Sequence, residues 1–238
     1  MKHSLIFIFA TVVLALTKLV SADATLTYEL TEADGSKIEK IFSTARFYVR
    51  IDNPADEERY LLFEAGKFFP LYEVDQAKGT YSLVTPEVIV FMGPDNPAKK
   101  EANAKAAQTE KAPAPVFMPV KKKLTVAGIS CRVIHEMVDD KPVIEHCMAN
   151  SAKLDLTTRE IKIMARTFSM ARDRNFDWLG VGTEDEEFIS IQSRDLNTNR
   201  VLKLTSVSNK PLPQGYLRIP REYKKVEPGE QAAATPSE

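Results

Sequence analysis

From residue 25 to residue 84 the chain alternates between short hydrophobic or aromatic-rich segments and turn-forming residues. This pattern predicts six strands, over residues 25–31, 37–43, 46–51, 59–64, 68–75 and 80–84. Strands this short, joined by loops this tight, are typical of an antiparallel meander rather than of parallel βαβ units.

The second half of the chain continues the strand pattern. Residues 129–138 and 142–149 are strand-like, and the turn Asp139-Asp140-Lys141 lies between them, which predicts a hairpin. Two further strands are predicted over residues 188–193 and 200–208.

One amphipathic helix is predicted over residues 158–172. Thr157 and Glu160 have the spacing of a capping box at its start. Its apolar residues recur every three or four positions: Ile161, Met164, Ala165, Phe168 and Ala171. A stripe of this kind packs against the open face of a sheet. The fold class is therefore mainly β (α+β).

Residues 94–123 interrupt the strand pattern as a low-complexity insertion. Residues 98–112 are almost entirely Ala, Lys, Glu, Asn and Gln, which predicts either a solvated helix capped by Asn96 or a disordered segment. Residues 113–120 are Pro-rich, which favours extended backbone. The apolar knot Val116-Phe117-Met118 allows two interpretations. Either it packs onto the core as part of a flexible insertion, or it is a mobile plug over an apolar cavity. Residues 226–238 are polar and are predicted to be a disordered tail.

The first 22 residues have the pattern of a secretory signal peptide. Lys2 and His3 precede a twelve-residue, mainly apolar run, and Val20-Ser21-Ala22 forms a small-residue cleavage site. An uncleaved anchor over residues 5–20 is the alternative, but Lys18 interrupts it and the stretch is short for a membrane span. We expect export to the periplasm, one β-rich domain over residues 23–225, and no stable membrane span after cleavage.

Charge argues against a nucleic-acid partner. The whole chain has 32 basic and 33 acidic residues. Residues 1–22 contain two lysines and no acid, so cleavage leaves 30 basic and 33 acidic residues, a net charge of −3. A weakly acidic chain without a basic face offers little to a phosphate backbone.

The two cysteines, Cys131 and Cys147, are predicted to form a disulfide. An isolated pair in an exported protein is most simply one bond. If the hairpin turn centres on Asp139, the two residues lie directly opposite each other on neighbouring strands. A redox-active pair is the alternative, but the Cys-x-x-Cys spacing is absent.

Two metal sites are considered and not favoured, and no cofactor is expected. Four ligands from Cys131, His135, His146 and Cys147 cannot meet one ion, because neighbouring strand residues point to opposite faces. We therefore expect both histidines at the surface. Residues 173–184 place Asp173, Asn175, Asp177 and Glu184 at positions of a calcium loop. The sixth position of that loop needs Gly, but Trp178 occupies it.

No motif for nucleophilic catalysis is present. Neither a G-x-S-x-G elbow nor a Gly-rich phosphate loop occurs, and the sequence shows no Ser or Asp partner for His135 or His146. A triad assembled in space stays open. We expect a protein that is not an enzyme.

Several short motifs resemble an uncharacterised domain-of-unknown-function family of exported bacterial proteins. They lie at residues 25–29, 60–63, 71–75, 78–81, 126–131, 212–213 and 219–223. That family is in turn similar to the outer-membrane lipoprotein-carrier superfamily. The resemblance implies an antiparallel sheet curled as a half-barrel around one or two helices, with an apolar cavity for acyl chains or a protein partner.

These observations predict a non-enzymatic periplasmic binding protein with a role in envelope maintenance. Its expected partner is a lipid, an acyl chain or a lipidated protein, held on an aromatic-rich concave face. The candidate ligand residues are Phe47, Phe63, Tyr72 and Phe168. A protein-interaction module without a ligand and an uncharacterised hydrolase are the alternatives.

Overall fold

A computed structural model describes residues 23–45, 47–65, 70–84, 116–173 and 187–227. Residues 1–22, which the sequence predicts to be a signal peptide, lie outside these ranges, as do residues 94–115 of the insertion and residues 228–238 of the tail. So do residues 174–186, which contain most of the calcium-loop pattern.

The described residues form twelve strands, one α-helix and one short 3-10 helix. The strands are β1 Ala24–Thr31, β2 Lys37–Ala45, β3 Tyr48–Asn53, β4 Asp56–Glu64, β5 Leu71–Asp75, β6 Thr80–Leu83, β7 Val116–Val126, β8 Ile129–Val138, β9 Lys141–Asn150, β10 Phe188–Asp195, β11 Val201–Ser208 and β12 Lys224–Lys225. The 3-10 helix is Ser151–Leu154, and α1 is Thr158–Asp173.

All twelve strands belong to one sheet, in the order β12-β6-β5-β4-β3-β2-β1-β11-β10-β9-β8-β7. The pairs are antiparallel apart from the short β12–β6 pair, which is parallel. The sheet is open and curled. The predicted mainly β fold, a half-barrel of antiparallel strands with a helix, is confirmed.

Strand β7 replaces part of the predicted insertion. Residues 116–123 belong to an eleven-residue strand that pairs with β8 at the end of the sheet. The Lys-rich, Pro-containing composition concealed the strand, although edge strands use these residues to discourage further pairing. Val116 and Met118 are 61% and 52% exposed, so these two residues of the apolar knot are not tucked onto the core.

Alternation along the strands separates two apolar clusters. On β4, Leu61 and Phe63 join the main core, whereas Tyr60 and Leu62 belong to a second cluster. The main core includes Phe168 of α1. We call the side of the sheet towards α1 the helix face, and the opposite side the outer face.

The disulfide Cys131–Cys147 is confirmed, with Cα atoms 5.4 Å apart, but the expected pairing of the strands is wrong. Asp139 and Asp140 both have positive φ and form a two-residue turn, so Val138 pairs with Lys141. A bulge after Glu136 shifts the pairing by one more residue. Val133, not Cys131, therefore lies opposite Cys147, and the disulfide joins diagonal neighbours.

Within the described ranges, no helix combines the length and the apolar character needed to cross a membrane.

Candidate functional site

Helix α1 begins at the predicted capping box. The backbone N–H and the hydroxyl of Thr157 both donate to Glu160 Oε2 at 2.7 Å, and the Glu160 N–H donates back to Thr157 Oγ1 at 3.3 Å. Two N–H groups at the start of the helix, those of Thr157 and Glu160, are thereby satisfied locally. The cap fixes the point at which the chain turns onto the helix face.

An aromatic trio attaches α1 to the sheet. The Phe168 ring lies 5.2 Å from Phe42 and 6.3 Å from Tyr28, both edge to face. The Tyr28 hydroxyl donates to the Ser190 carbonyl at 2.9 Å, and burial raises its pKa. All three rings are fully buried, so Phe168 is a core residue in this conformation.

The four predicted ligand residues do not share one surface. Phe63 and Phe168 are 0% and 1% exposed within the main core. Phe47 follows β2, is 44% exposed, and lies under the Arg159 guanidinium of α1, 3.8 Å from its ring centroid. Tyr72 lies on the outer face against Tyr81, because it alternates with Leu71 of the main core.

The helix face becomes charged towards one end of strands β2, β4 and β5. Arg59 donates to Asp56 at 2.8 Å and lies 4.0 Å from Glu73, which is 7% exposed. Burial raises the pKa of Glu73, against the lowering effect of Arg59. Burial also lowers the pKa of Lys40, against the raising effects of Asp56 and Glu32.

Sequence reasoning missed this charged end. The alternation that marks Leu61 and Phe63 as inward-facing also marks Arg59 as inward-facing, two residues earlier on β4. That signal could have identified the charged end before the structure was known.

A second missed feature is a buried polar cluster that joins β8, β9 and β10, which we call the His146 cluster. His146 Nδ1 lies 2.9 Å from Ser193 Oγ, and His146 Nε2 lies 3.3 Å from Glu136 Oε2. Ser190 Oγ lies 2.8 Å from Ser193 Oγ. The side chains are almost fully buried: His146 is 0%, Ser193 1%, Ser190 2% and Glu136 7% exposed.

Strand pairing brings the His146 cluster together on one side of β8, β9 and β10. His146 pairs with Ser193 of β10 and with Ile134 of β8, two residues before Glu136. Directly paired residues share a face. The expected surface position is therefore wrong for His146, because both faces of β9 are covered where His146 and Cys147 lie.

The four residues of the candidate metal site lie on both faces of the sheet. Cys131 and Cys147 are joined in the disulfide, and His135 lies 3.5 Å from Glu145 on the face opposite to His146. In the parts of the chain that the structure describes, no group of three or more His, Cys, Asp or Glu side chains could hold a metal ion.

The His146 cluster contains the residue types of a nucleophile–base–acid triad. These side chains are buried, so a substrate cannot reach them in this structure. Ser193 is 1% exposed, and its hydroxyl oxygen already has two polar neighbours, His146 and Ser190.

The C-terminal segment covers the outer face of β3 to β6. Arg50 is held between the rings of Tyr60 and Tyr216, at 3.6 Å and 4.1 Å from their centroids. Tyr223 lies 3.8 Å from the position that a Cβ would take at Gly79, whose φ is +59°. The segment ends as β12, which adds to β6.

No protein-family model and no curated protein matches this chain. Among solved structures, it is similar to an uncharacterised conserved protein from Thermus thermophilus. That likeness has a TM-score of 0.46 and 8% identity, and covers 92% of this chain and 99% of that chain. The likeness to PNGF-II has a TM-score of 0.43 and 12% identity, and covers 88% of this chain but 31% of that chain.

A third similar structure is the MucA/MucB complex of Pseudomonas aeruginosa. It has a TM-score of 0.36 and 12% identity, and the match covers 86% of this chain and 58% of that chain. The chain thus spans about a third of the PNGF-II chain and less than two thirds of the matched chain in the complex. At these scores and identities the likenesses establish neither a shared family nor a shared function.

Proposed function

We propose that this protein is a non-enzymatic binding protein of the bacterial envelope. It holds an acyl chain, as a free lipid or as part of a lipidated protein, on the helix face of the curled sheet. The observation that supports this proposal is the difference in size between the sheet and its single described α-helix.

Twelve strands spaced about 4.8 Å apart span roughly 53 Å across the sheet. A helix of 16 residues is about 24 Å long and about 10 Å wide. Helix α1 contacts β2, β3 and β10, so it covers one part of the helix face. The main-core side chains on this face are already buried, so the acyl chain would enter by displacing part of the packing between α1 and the sheet.

The candidate ligand residues divide into a wall and a rim. Phe63 of β4 and Phe168 of α1 form the wall, because both lie in the main core. Phe47 and Arg159 form the rim, where an exposed ring meets the start of the helix. Tyr72 is left out of the proposed site because it lies on the outer face.

Export to an oxidising compartment is part of the proposal. The disulfide in the β8–β9 hairpin supports it, because structural disulfides persist where thiols are not kept reduced.

Native mass spectrometry and titration with a fluorescent fatty acid test the binding role. We expect co-purified lipid masses, and saturable binding of one probe per chain after delipidation. Phe47→Ser should weaken binding several-fold. Leu196→Ser, which changes another exposed apolar residue at 36% exposure, should not. A clean apo mass together with no saturable binding would contradict the proposal.

A protein-interaction module is the second candidate, and strand β7 favours it. This eleven-residue edge strand carries the exposed side chains of Val116 and Met118. The double variant Val116→Lys/Met118→Lys should abolish capture of a partner from periplasmic extract. Val138→Lys, a change at a 45% exposed residue of the same hairpin, should leave capture intact. Equal capture by all three proteins would argue against this candidate.

A further inference from the structure

Edge strand β7 and its neighbour β8 carry two basic side chains directly opposite each other. Lys123 pairs with Arg132, and both residues are exposed. Directly opposed residues of an antiparallel pair share a face, with Cβ atoms about 5 Å apart, and like charges in this position repel. The Arg132 guanidinium stacks on the Phe188 ring, 3.7 Å from its centroid, which fixes this positive charge at the surface.

A bulge in β7 determines which lysine lies beside Arg132. Lys121 and Lys122 are extra residues on β7, between Val120 and Lys123. Bulges of this kind redirect side chains. Lys122 binds an acid within the sheet, because its Nζ lies 3.0 Å from Glu145 Oε2. Of the three consecutive lysines, it is therefore Lys123 that adds its charge to that of Arg132.

A further cation reaches the same face from the 3-10 helix. Lys153 Nζ donates to the Ser130 carbonyl at 2.9 Å and to Ser130 Oγ at 2.6 Å. Ser130 lies two residues before Arg132 on β8, so their side chains share a face and lie about 7 Å apart. Thr125 pairs with Ser130 and adds a second exposed hydroxyl. The exposed basic residues of this region, which we call the basic edge, are Lys121, Lys123, Arg132 and Lys153.

Acidic residues also border this region. Glu145 is bound to Lys122, as described above. Glu187 and Asp155 flank the 3-10 helix and are exposed. Four basic residues against these two acids leave the surface positively charged. The chain beyond residue 22 has 30 basic and 33 acidic residues, so this positive surface is local and is assembled only by folding.

The same edge strand carries exposed apolar side chains. Val116 and Met118, which are 61% and 52% exposed, precede the lysines on β7. Cations together with exposed apolar side chains are typical of surfaces that bind at the membrane interface, where phosphates and acyl chains meet. An acidic protein segment would need the cations alone, so the combination favours a membrane.

We propose that the β7 edge of the sheet docks this protein onto an anionic phospholipid surface. The basic edge binds the headgroup phosphates through charge-assisted hydrogen bonds, and Val116 and Met118 enter the interfacial layer. This role goes beyond the acyl-chain binding proposed above. It uses other residues than the site at Phe47 and α1, so either proposal can fail while the other holds.

The expected binding is weak, reversible and sensitive to salt. Each Lys or Arg near an anionic lipid surface strengthens binding by about fivefold. Salt shortens the range of this attraction, from a Debye length of about 10 Å at 0.1 M to about 3 Å at 1 M. Binding should therefore fall steeply as the ionic strength rises.

Co-sedimentation with vesicles measures this binding. We expect the protein to sediment with vesicles of equal parts phosphatidylglycerol and phosphatidylcholine in dilute buffer. It should stay in the supernatant with pure phosphatidylcholine vesicles, and also with the anionic vesicles in about 0.5 M sodium chloride. Equal sedimentation with both kinds of vesicle, or with neither, would overturn the proposal.

Two matched variants locate the surface. Lys121→Gln/Lys123→Gln removes two cations of the basic edge and should weaken vesicle binding roughly 25-fold, as two factors of about five. Lys224→Gln/Lys225→Gln removes two exposed lysines from β12, at the opposite end of the sheet, and should bind like the wild type. Equal losses in the two variants would mean that binding follows net charge rather than this edge, and would overturn the proposal.

An acidic polymer distinguishes a membrane from an acidic protein partner. Val116→Ser/Met118→Ser should weaken binding to the anionic vesicles several-fold, because the apolar contribution is lost. Poly-glutamate should displace the wild-type protein from these vesicles only at a large excess of charge. If poly-glutamate binds as tightly as the vesicles and the serine variant keeps full vesicle binding, the surface fits an acidic protein segment and the membrane assignment is wrong.

Discussion

Arg50 and Tyr216 are 166 residues apart in the chain, and the Arg50 guanidinium stacks on the Tyr216 ring and donates to the Tyr216 carbonyl at 3.3 Å. Asp52 binds both residues, at 2.8 Å from Arg50 Nε and 2.9 Å from the Tyr216 hydroxyl. Tyr60 covers the other side of the guanidinium. A cation enclosed by two rings and a carboxylate thus fastens the C-terminal segment to the outer face of the sheet.

Removal of the Arg50 charge should be costly. In the ion pair with Asp52, the two side chains are 11% and 19% exposed. Arg50→Gln should therefore lower the free energy of unfolding by about 2–4 kcal/mol, because the Asp52 carboxylate loses its charged partner and keeps only the Tyr216 hydroxyl. Urea denaturation at neutral pH measures the change.

Arg59→Gln is the matched control. The Arg59–Asp56 pair has the same chemistry, but its side chains are 54% and 30% exposed. Its loss should cost less than about 1 kcal/mol. Equal losses of unfolding free energy in the two variants would show that enclosure by the Tyr60 and Tyr216 rings adds no stability.

The disulfide should stabilise the β8–β9 hairpin region. Cys131 and Cys147 are 16 residues apart, and a bond across a loop of this size contributes about 3 kcal/mol. The double variant Cys131→Ser/Cys147→Ser should unfold at lower denaturant concentration than the wild type. Reductant should shift the wild-type midpoint and leave the double variant unchanged. If reductant leaves the wild-type unfolding midpoint unchanged, the disulfide does not contribute the expected stability.

Glu73 and Glu145 should affect stability with opposite dependences on pH. The pKa of Glu73 is raised by burial, so the folded state favours its protonated form and ionisation lowers stability as pH rises above about 4.3. Glu73→Gln should therefore increase stability at pH 7. The gain should shrink as the pH falls below that value.

Glu145 provides the contrast. Burial raises its pKa, but the hydrogen bonds from Lys122 and His135 lower it more, and the net shift is downwards. Its stabilising contribution is present above about pH 4.3 and is lost as the pH falls through the lower folded value. Glu145→Gln should reduce stability at pH 7 and have less effect in acid. Thermal unfolding at pH 3.5 and pH 7 compares both variants, and changes of the same sign would contradict this assignment.

Substitution of the buried Phe168 ring should cost far more stability than substitution of the exposed Phe47 ring. Phe168→Ala removes a ring that is 1% exposed between Tyr28 and Phe42, and should cost about 3–5 kcal/mol of folding free energy. Phe47→Ala removes a 44% exposed ring and should cost less than about 1 kcal/mol. Urea denaturation of the two variants measures both costs. A small loss for Phe168→Ala would mean that the ring does not pack in the core in solution.

Local patterns in the sequence were sufficient for most elements. Alternation predicted β1 to β6 and β8 to β11 within a few residues, and the capping box with its apolar stripe predicted α1. These signals are local because residues two or four positions apart share a face of a strand or helix. Strand β7 was missed because an exposed edge strand needs neither alternation nor an apolar composition.

The tertiary structure decided how the strands pair and which side chains meet across them. The disulfide followed from composition, but its diagonal position depends on a turn and a bulge that shift the pairing by two residues. Tyr72 is as aromatic as Phe63, and only the pairing of β4 with β5 shows that they lie on opposite faces. The partners of His146 come from positions 136 and 193. No local pattern links those positions, because long-range strand pairing brings them together.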